Sequence, residues 1–103
     1  MDRFSTDEEL RQHLNQETGK LEWKELAPHF ARGVVIAVDP MLDLVEVGLC
    51  LIKDNKSLLE EWLASGLVKR ATDDEAREWT EKDPLFWAVV AAPWVVVQEL
   101  VEN

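Results

Sequence analysis

Hydrophobic residues concentrate in the middle of the chain and again near its end. The central part holds two apolar runs, residues 34–38 and 44–52, on either side of the turn-like segment 39–43. The first run is short, rich in β-branched residues and bounded by Gly33 and Asp39-Pro40. This pattern predicts a buried strand.

The apolar residues of the second central run fit the repeat of a strand and also that of a helix. In a strand, the apolar residues at alternate positions share one face: Val45, Val47, Leu49 and Leu51. In a helix, residues three or four apart form a stripe: Leu42, Val45, Leu49 and Ile52. The helix would take Asp39 as N-cap and Pro40 as its first residue. The pattern favours the strand, because β-branched residues alternate at its start and a five-residue loop can close a hairpin.

The last apolar run, residues 85–97, is hydrophobic on both faces and rich in valine. A strand covered on both sides has this composition. Pro93 cannot donate to a strand ladder, so it predicts a bulge, a bend or two short strands. Trp87 and Trp94 flank the run, and tryptophan is enriched in protein interfaces, which makes both candidate interface residues.

The first third of the chain predicts two helices. Overlapping capping boxes, Ser5 with Glu8 and Thr6 with Glu9, place the start of a first helix that ends near residues 18–19. A second amphipathic stripe follows and stops at a glycine: Trp23, Leu26, Ala27, Phe30 and then Gly33. Pro28 lies within it, so this helix is expected either to kink or to begin close to the proline.

The remaining polar stretches predict two further helices and a strand. Asp54 or Asn55 caps a helix that runs through Ser65 and stops at Gly66. The half-polar segment 67–71 suits an edge strand. The capping box 72–75 opens a helix that extends to about residue 82, and the tail 98–103 is expected to be polar and partly frayed.

These elements predict an α+β fold in a single domain over residues 1–103. The expected order is α-α-β-β-α-β-α-β, with helices packed on a mainly antiparallel or mixed sheet of about four strands. If residues 41–53, which include the second central run, are helical, the alternative has three strands and five helices.

Charge and cysteine content narrow the classes of function. The chain has 11 basic and 21 acidic residues, a formal net charge of −10. This balance argues against nucleic-acid binding and favours solubility or, alternatively, a basic partner. The single cysteine, Cys50, lies in an apolar run and predicts a buried inert thiol. The acidic N-terminal segment is not a signal peptide and the longest apolar run is too short to span a membrane, so a soluble cytoplasmic protein is expected.

Several segments resemble a known family of small bacterial proteins, the family of domain of unknown function 2288. The resemblance rests on residues 21–26, 30–35, 38–40 with 42–47, 72–73 with Trp79, and 87–90 with 92–95. It extends from about Leu14 to Gln98 and implies a bacterial, stand-alone small domain. The family carries no activity, cofactor or catalytic residue that could be transferred to this chain.

The most concentrated candidate chemistry is acidic. Asp39, Asp43 and Glu46 would share one face of a helix, where their oxygens could bind a divalent cation. The alternative is ordinary turn and cap chemistry, and in a strand Asp43 and Glu46 would fall on opposite faces. Arg32 could pair with either aspartate or recognise an anion. No metal-ligand spacing, nucleophile motif or phosphate loop occurs in the sequence, so we assign no catalytic residue, metal or cofactor.

Two hypotheses of function follow. The first is a non-enzymatic module that binds a protein partner or regulates it, favoured by the small size, the strong acidity and the five tryptophans. The long apolar run also makes a homodimer a reasonable expectation. The second is a protein that binds a small molecule or a divalent metal, or an enzyme, through Arg32, Asp39, Asp43 and Glu46. Neither requires nucleic acid or a membrane.

Overall fold

The computed structural model describes residues 6–100, which form five helices and five strands. In chain order the elements are α1 (Asp7–Glu17), β1 (Gly19–Glu22), α2 (Trp23–Ala31), β2 (Val35–Val38), α3 (Leu44–Ile52), α4 (Lys56–Ser65), β3 (Val68–Arg70), α5 (Asp73–Lys82), β4 (Leu85–Ala91) and β5 (Trp94–Glu99). This arrangement confirms the α+β class.

The five strands form one mixed sheet in the order β1-β4-β5-β2-β3. β2 and β5 are parallel, and the other neighbouring pairs are antiparallel. The sheet therefore has one strand more than the four expected. Its two longest strands, β4 and β5, lie inside the sheet, while the shorter β1 and β3 form its edges.

Helices cover both faces of the sheet, so the core has two parts. On one face, α1 and α3 pack over apolar side chains that include Val89, Ala91 and Val96. On the other face, residues of α2 and α5 pack over Phe86 and Val97. Alternate residues of each strand supply the two faces, as the pleat requires.

The second central run forms the helix α3, so the strand that the sequence favours for it is wrong. Asp43 is its N-cap, and Oδ1 of Asp43 accepts a hydrogen bond of 2.9 Å from the Val45 N–H. The alternative interpretation is right about the helix and about the number of helices, but it places the cap at Asp39. Six of the nine residues of α3 are buried because the helix lies between the sheet and α1. A helix that is apolar on nearly all sides lacks the alternation of apolar and polar faces that would identify it in the sequence.

The strand β1 departs from the expectation, and the start of α2 decides between the two alternatives left open for Pro28. β1 has four residues, of which Leu21 alone is apolar, so its sequence carries little strand signal. α2 begins at Trp23 and contains Pro28, which excludes a start near the proline. The carboxylate of Glu25 accepts a hydrogen bond of 2.9 Å from the Glu22 N–H and so stabilises this start.

The last apolar run forms the hairpin β4–β5, as the proline predicts. The strands have seven and six residues, and the turn between them contains a cis peptide bond from Ala92 to Pro93.

The starts of three other helices agree with the caps expected from the sequence. Thr6, Asn55 and Thr72 cap α1, α4 and α5 through their side chains. The cap expected at Ser5 lies outside the described residues. Of the tail expected over 98–103, Gln98 and Glu99 are not frayed but belong to β5, and residues 101–103 lie outside the described residues.

Candidate functional site

The two candidate aspartates organise the loop between β2 and α3. Oδ1 of Asp39 accepts a hydrogen bond of 2.9 Å from the Met41 N–H, and the Asp39 carbonyl accepts one of 3.0 Å from the Leu42 N–H. Asp43 caps α3 through the same kind of bond. Both carboxylates therefore have a local structural use, in a turn and at a helix start.

Glu46 lies on the side of α3 that faces α1. Its carboxylate accepts two hydrogen bonds from Arg11, from Nε at 2.6 Å and from Nη2 at 3.3 Å. This two-point contact raises the pKa of the Arg11 guanidinium above its ordinary value, with the hydrogen bond as the main cause. Glu46 thus joins two helices. Within residues 6–100, no group of three or more His, Cys, Asp or Glu residues is placed to hold a metal ion.

Arg32 is separate from the acidic loop. It is the C-cap residue of α2, and its Nη2 lies against Nδ1 of His29. Among the described residues, no ion pair joins Arg32 to Asp39 or Asp43. The four residues proposed from the sequence are therefore not brought together into one site.

Asp39 does border a cleft that the sequence did not reveal. The cleft holds about 220 Å³ at the end of the sheet beside α5, and its apolar lining includes Trp79 and Phe86. Its charged lining contains one cation and four carboxylates: Lys69, Asp39, Glu75, Glu78 and Glu99. Two of these carboxylates already have partners, since Glu75 lies 3.5 Å from Lys69 and Glu78 pairs with Lys82. Glu75 and Glu78 are three apart on α5, a spacing that could have placed them on one helix face from the sequence alone.

The two candidate interface tryptophans differ in exposure. Trp94 is half-buried against the core on the α3 side, and the guanidinium of Arg70 lies 5.0 Å from its ring centre. Trp87 is 36 % exposed, and the Lys20 ammonium lies 5.3 Å from its ring centre. Both rings are thus in contact with cations, but Trp87 offers more of its surface to a partner.

Trp87 belongs to a part of the sheet that no helix within residues 6–100 covers fully. The alternating side chains of β4 that point towards α3 begin with Leu85 and Trp87 and continue with the buried Val89 and Ala91. Leu85 is 41 % exposed, so α3 covers only the second half of this row. We call the exposed half, with the cross-strand neighbours of Trp87, the open face. Its residues are Lys20, Leu85, Trp87 and Gln98.

The open face is continuous with the loop before α3. Nε2 of Gln98 donates hydrogen bonds to the carbonyls of Asp39, at 3.0 Å, and of Leu42, at 2.7 Å. Between these anchored residues lies Met41, whose side chain is 79 % exposed. The loop is therefore held against β5 while its methionine stays accessible.

The fold and these surfaces define a small α+β protein with a five-stranded mixed sheet and helices on both sides. The chain belongs to the family described as protein of unknown function DUF2288, whose model matches residues 9–99. This match confirms the resemblance found in the sequence.

A solved structure is similar to nearly the whole chain. The chain is 42 % identical to PA1075 from Pseudomonas aeruginosa, whose solution structure was determined by NMR, with a TM-score of 0.80. The similarity covers 99 % of this chain and 92 % of that one. No curated protein matches the chain. Within residues 6–100, no helix is long and apolar enough to cross a membrane, and the cytoplasmic location stays a prediction.

Proposed function

We propose that this protein is a non-enzymatic module that binds a basic protein partner through the open face. The observation that carries the proposal is the position of Trp87, exposed on a half-covered sheet row beside Leu85. A rigid, exposed aromatic side chain beside an exposed leucine is the type of residue that anchors protein interfaces. The alternative, ligand binding through Arg32, Asp39, Asp43 and Glu46, lacks a convergent geometry.

Charge supports a basic partner over a second copy of the chain. Two copies would each bring a formal charge of −10, so their approach is opposed by long-range repulsion. The same negative charge attracts a basic protein. Glu22, which lies across from Leu85 on β1, places a carboxylate at the border of the open face. The Lys20 ammonium over Trp87 indicates that this ring also suits a cation from a partner.

The test compares partner binding by the parent protein with binding by the Trp87→Ala variant. Leu63→Ala is the matched control. Leu63 is a 53 % exposed apolar residue on α4, away from the open face. Proteins from a bacterial lysate are captured on each variant, and those that depend on Trp87 are purified and their affinity is measured directly. We expect a basic protein whose dissociation constant rises by about tenfold or more with Trp87→Ala and is unchanged with Leu63→Ala.

Other results would contradict the proposal. If every captured protein binds the Trp87→Ala variant as well as the parent, the open face is not the binding surface. If sedimentation at micromolar concentration shows a dimer of the parent that Trp87→Ala abolishes, the occupant is a second copy rather than a basic protein. Circular dichroism of each variant verifies that the fold is retained.

A further inference from the structure

The contact between Lys20 and Trp87 differs from the other cation–aromatic contact that the structure describes. Trp94 is half-buried against the core, so its contact with Arg70 belongs to the packing of the sheet. Trp87 is 36 % exposed, and Lys20 is exposed as well. The cation on Trp87 is therefore in a place that molecules in solution can reach.

The strand register brings Lys20 to the ring. Lys20 lies directly opposite Trp87 in the antiparallel pair of β1 and β4. Residues in this relation have Cβ atoms about 4.5–5.5 Å apart and side chains on the same face of the sheet. The Lys20 ammonium lies 5.3 Å from the ring centre, within the range of a cation–π contact. The indole of Trp87 is thus a cation site that a residue of the same chain already occupies.

Little else holds the Lys20 ammonium in this position. Within residues 6–100, no ion pair joins it to a carboxylate. Most other lysines in this part of the chain have such an ion pair: Lys24, Lys53, Lys69 and Lys82. A cation–π contact at an exposed site is weaker than one that is shielded from water. The Lys20 ammonium can therefore leave the ring at little cost in free energy.

The surroundings of the ring suit an arginine side chain. Glu22 and Leu85 are opposite each other and form the next described pair on the same face. The Glu22 side chain is 48 % exposed, so its carboxylate can accept a further hydrogen bond at the border of the open face. A guanidinium stacks its flat face on an aromatic ring and keeps its N–H donors at the edge for a carboxylate. Leu85 offers an apolar surface to the methylene groups of the same side chain.

We infer that Trp87 is the binding site for an arginine side chain of the partner, and that Lys20 is an internal competitor for this site. The inference rests on the proposed function of the open face. In the free protein Lys20 occupies the ring, and on binding the partner's arginine replaces it, so that the Lys20 ammonium returns to water. Lys20 therefore lowers the affinity of the open face for a basic partner, although it is itself part of that face.

Displacement of Lys20 is tested by NMR titration with N-acetylarginine amide at constant ionic strength. N-acetylcitrulline amide, which has nearly the same shape and no charge, is the ligand control. An indole shields the protons above its face, so the ε-methylene signals of Lys20 report directly whether the ammonium end lies over Trp87. We expect N-acetylarginine amide to shift the Trp87 indole signals saturably and to move the Lys20 ε-methylene signals to the position of a free lysine. The citrulline amide should do neither.

Three variants make the result specific. Lys20→Ala removes the competitor and should strengthen the binding of N-acetylarginine amide by about two- to fivefold, which corresponds to an exposed cation–π contact. Lys56→Ala removes the same charge from α4 and should leave the affinity unchanged, which separates competition at the ring from the change in net charge. Trp87→Ala should abolish the binding.

The inference is overturned if N-acetylarginine amide binds neither the parent nor Lys20→Ala, or if it binds while the Lys20 signals stay in place. An equal gain in affinity with Lys56→Ala would overturn it as well. Its failure can be told apart from that of the proposed function. A captured partner that requires Trp87 but is insensitive to Lys20→Ala contradicts only the competition. Displacement of Lys20 by the probe, without any captured protein that depends on Trp87, contradicts only the protein partner.

Discussion

Three carboxylates near the centre of the chain have three different structural roles. Asp39, Asp43 and Glu46 are close enough in sequence to suggest a metal site, yet each has its own partner in the structure. Asp39 closes a turn, Asp43 starts a helix and Glu46 binds Arg11. The sequence reveals the turn and cap chemistry because these contacts are local. It cannot reveal the partner of Glu46, because Arg11 lies on a distant segment.

The cap function of Asp43 leads to a prediction that separates it from metal binding. Asp43→Ser keeps an oxygen for the Val45 N–H and should change the free energy of unfolding little, while Asp43→Ala should reduce it by about 1 kcal/mol. Chemical denaturation of the three proteins measures this difference. If Mg²⁺ or Ca²⁺ stabilises the parent but not the serine variant, the carboxylate acts as a metal ligand instead.

Cys50 provides a prediction of pH dependence. Burial raises the pKa of its thiol above the ordinary value of 9.0, and the thiol donates to the Asn55 carbonyl at 3.5 Å. A raised pKa means that the folded protein favours the protonated thiol. This contribution to stability is complete below the unfolded pKa and is lost as the pH rises through the folded one.

Two measurements test this interpretation of Cys50. The free energy of unfolding of the parent should fall relative to that of Cys50→Ala as the pH is raised beyond 9.0. A thiol reagent at neutral pH should modify the native protein slowly and the denatured protein fast. Rapid modification of the native protein, or parallel pH profiles for the two proteins, would contradict the burial argument.

At the scale of elements, the sequence predicts helix ends better than it predicts which strands pair. The caps of α4 and α5 depend on residues within one helical turn, such as Asn55 and Thr72, so the sequence contains the whole signal. The strand β1 exists because it pairs with β4, and nothing within its four residues requires a strand. The apolar α3 was ambiguous for the same reason, since its neighbours on both sides determine its conformation.

The close packing of α3 gives a prediction about its glycine. A Cβ at Gly48 would lie 3.6 Å from Cγ1 of Val89 and 3.7 Å from Cδ1 of Leu14, which are ordinary contact distances. Gly48→Ala should therefore increase the free energy of unfolding by about 0.5–1 kcal/mol, because alanine favours the helix. Gly66→Ala is the opposite control, since its φ of 79° strains any side chain. Denaturant unfolding measures both, and a less stable Gly48→Ala would show that α3 has no space for a methyl group.

At the scale of the whole molecule, the excess of negative charge dominates the electrostatics. The described ion pairs are mostly solvent-exposed and each contributes little, whereas repulsion among the unpaired carboxylates acts over the entire surface. This excess could be read directly from the composition. The cleft beside α5 could not, because it depends on how α5 packs against the end of the sheet.

Salt should consequently stabilise the protein. Raising sodium chloride to about 0.1 M shortens the screening length to about 10 Å, which weakens repulsion between distant carboxylates. We expect the thermal midpoint to rise. Glu60→Gln with Glu61→Gln changes the formal charge from −10 to −8, by two neutralised carboxylates, and should reduce the salt effect. A midpoint that falls with salt would mean that the ion pairs outweigh the repulsion.

The strand order has a consequence for how the chain becomes a protein in the cell. The hairpin β4–β5 is the last part of the sheet to be synthesised, yet it lies between β1 and β2. While a ribosome is still translating, the earlier strands have no neighbour on the side that this hairpin will occupy, so the backbone N–H and C=O groups of that edge have no strand partner. We therefore expect the complete sheet to assemble only after residue 99 has left the ribosome exit tunnel, because β1 and β2 gain their central partners only then.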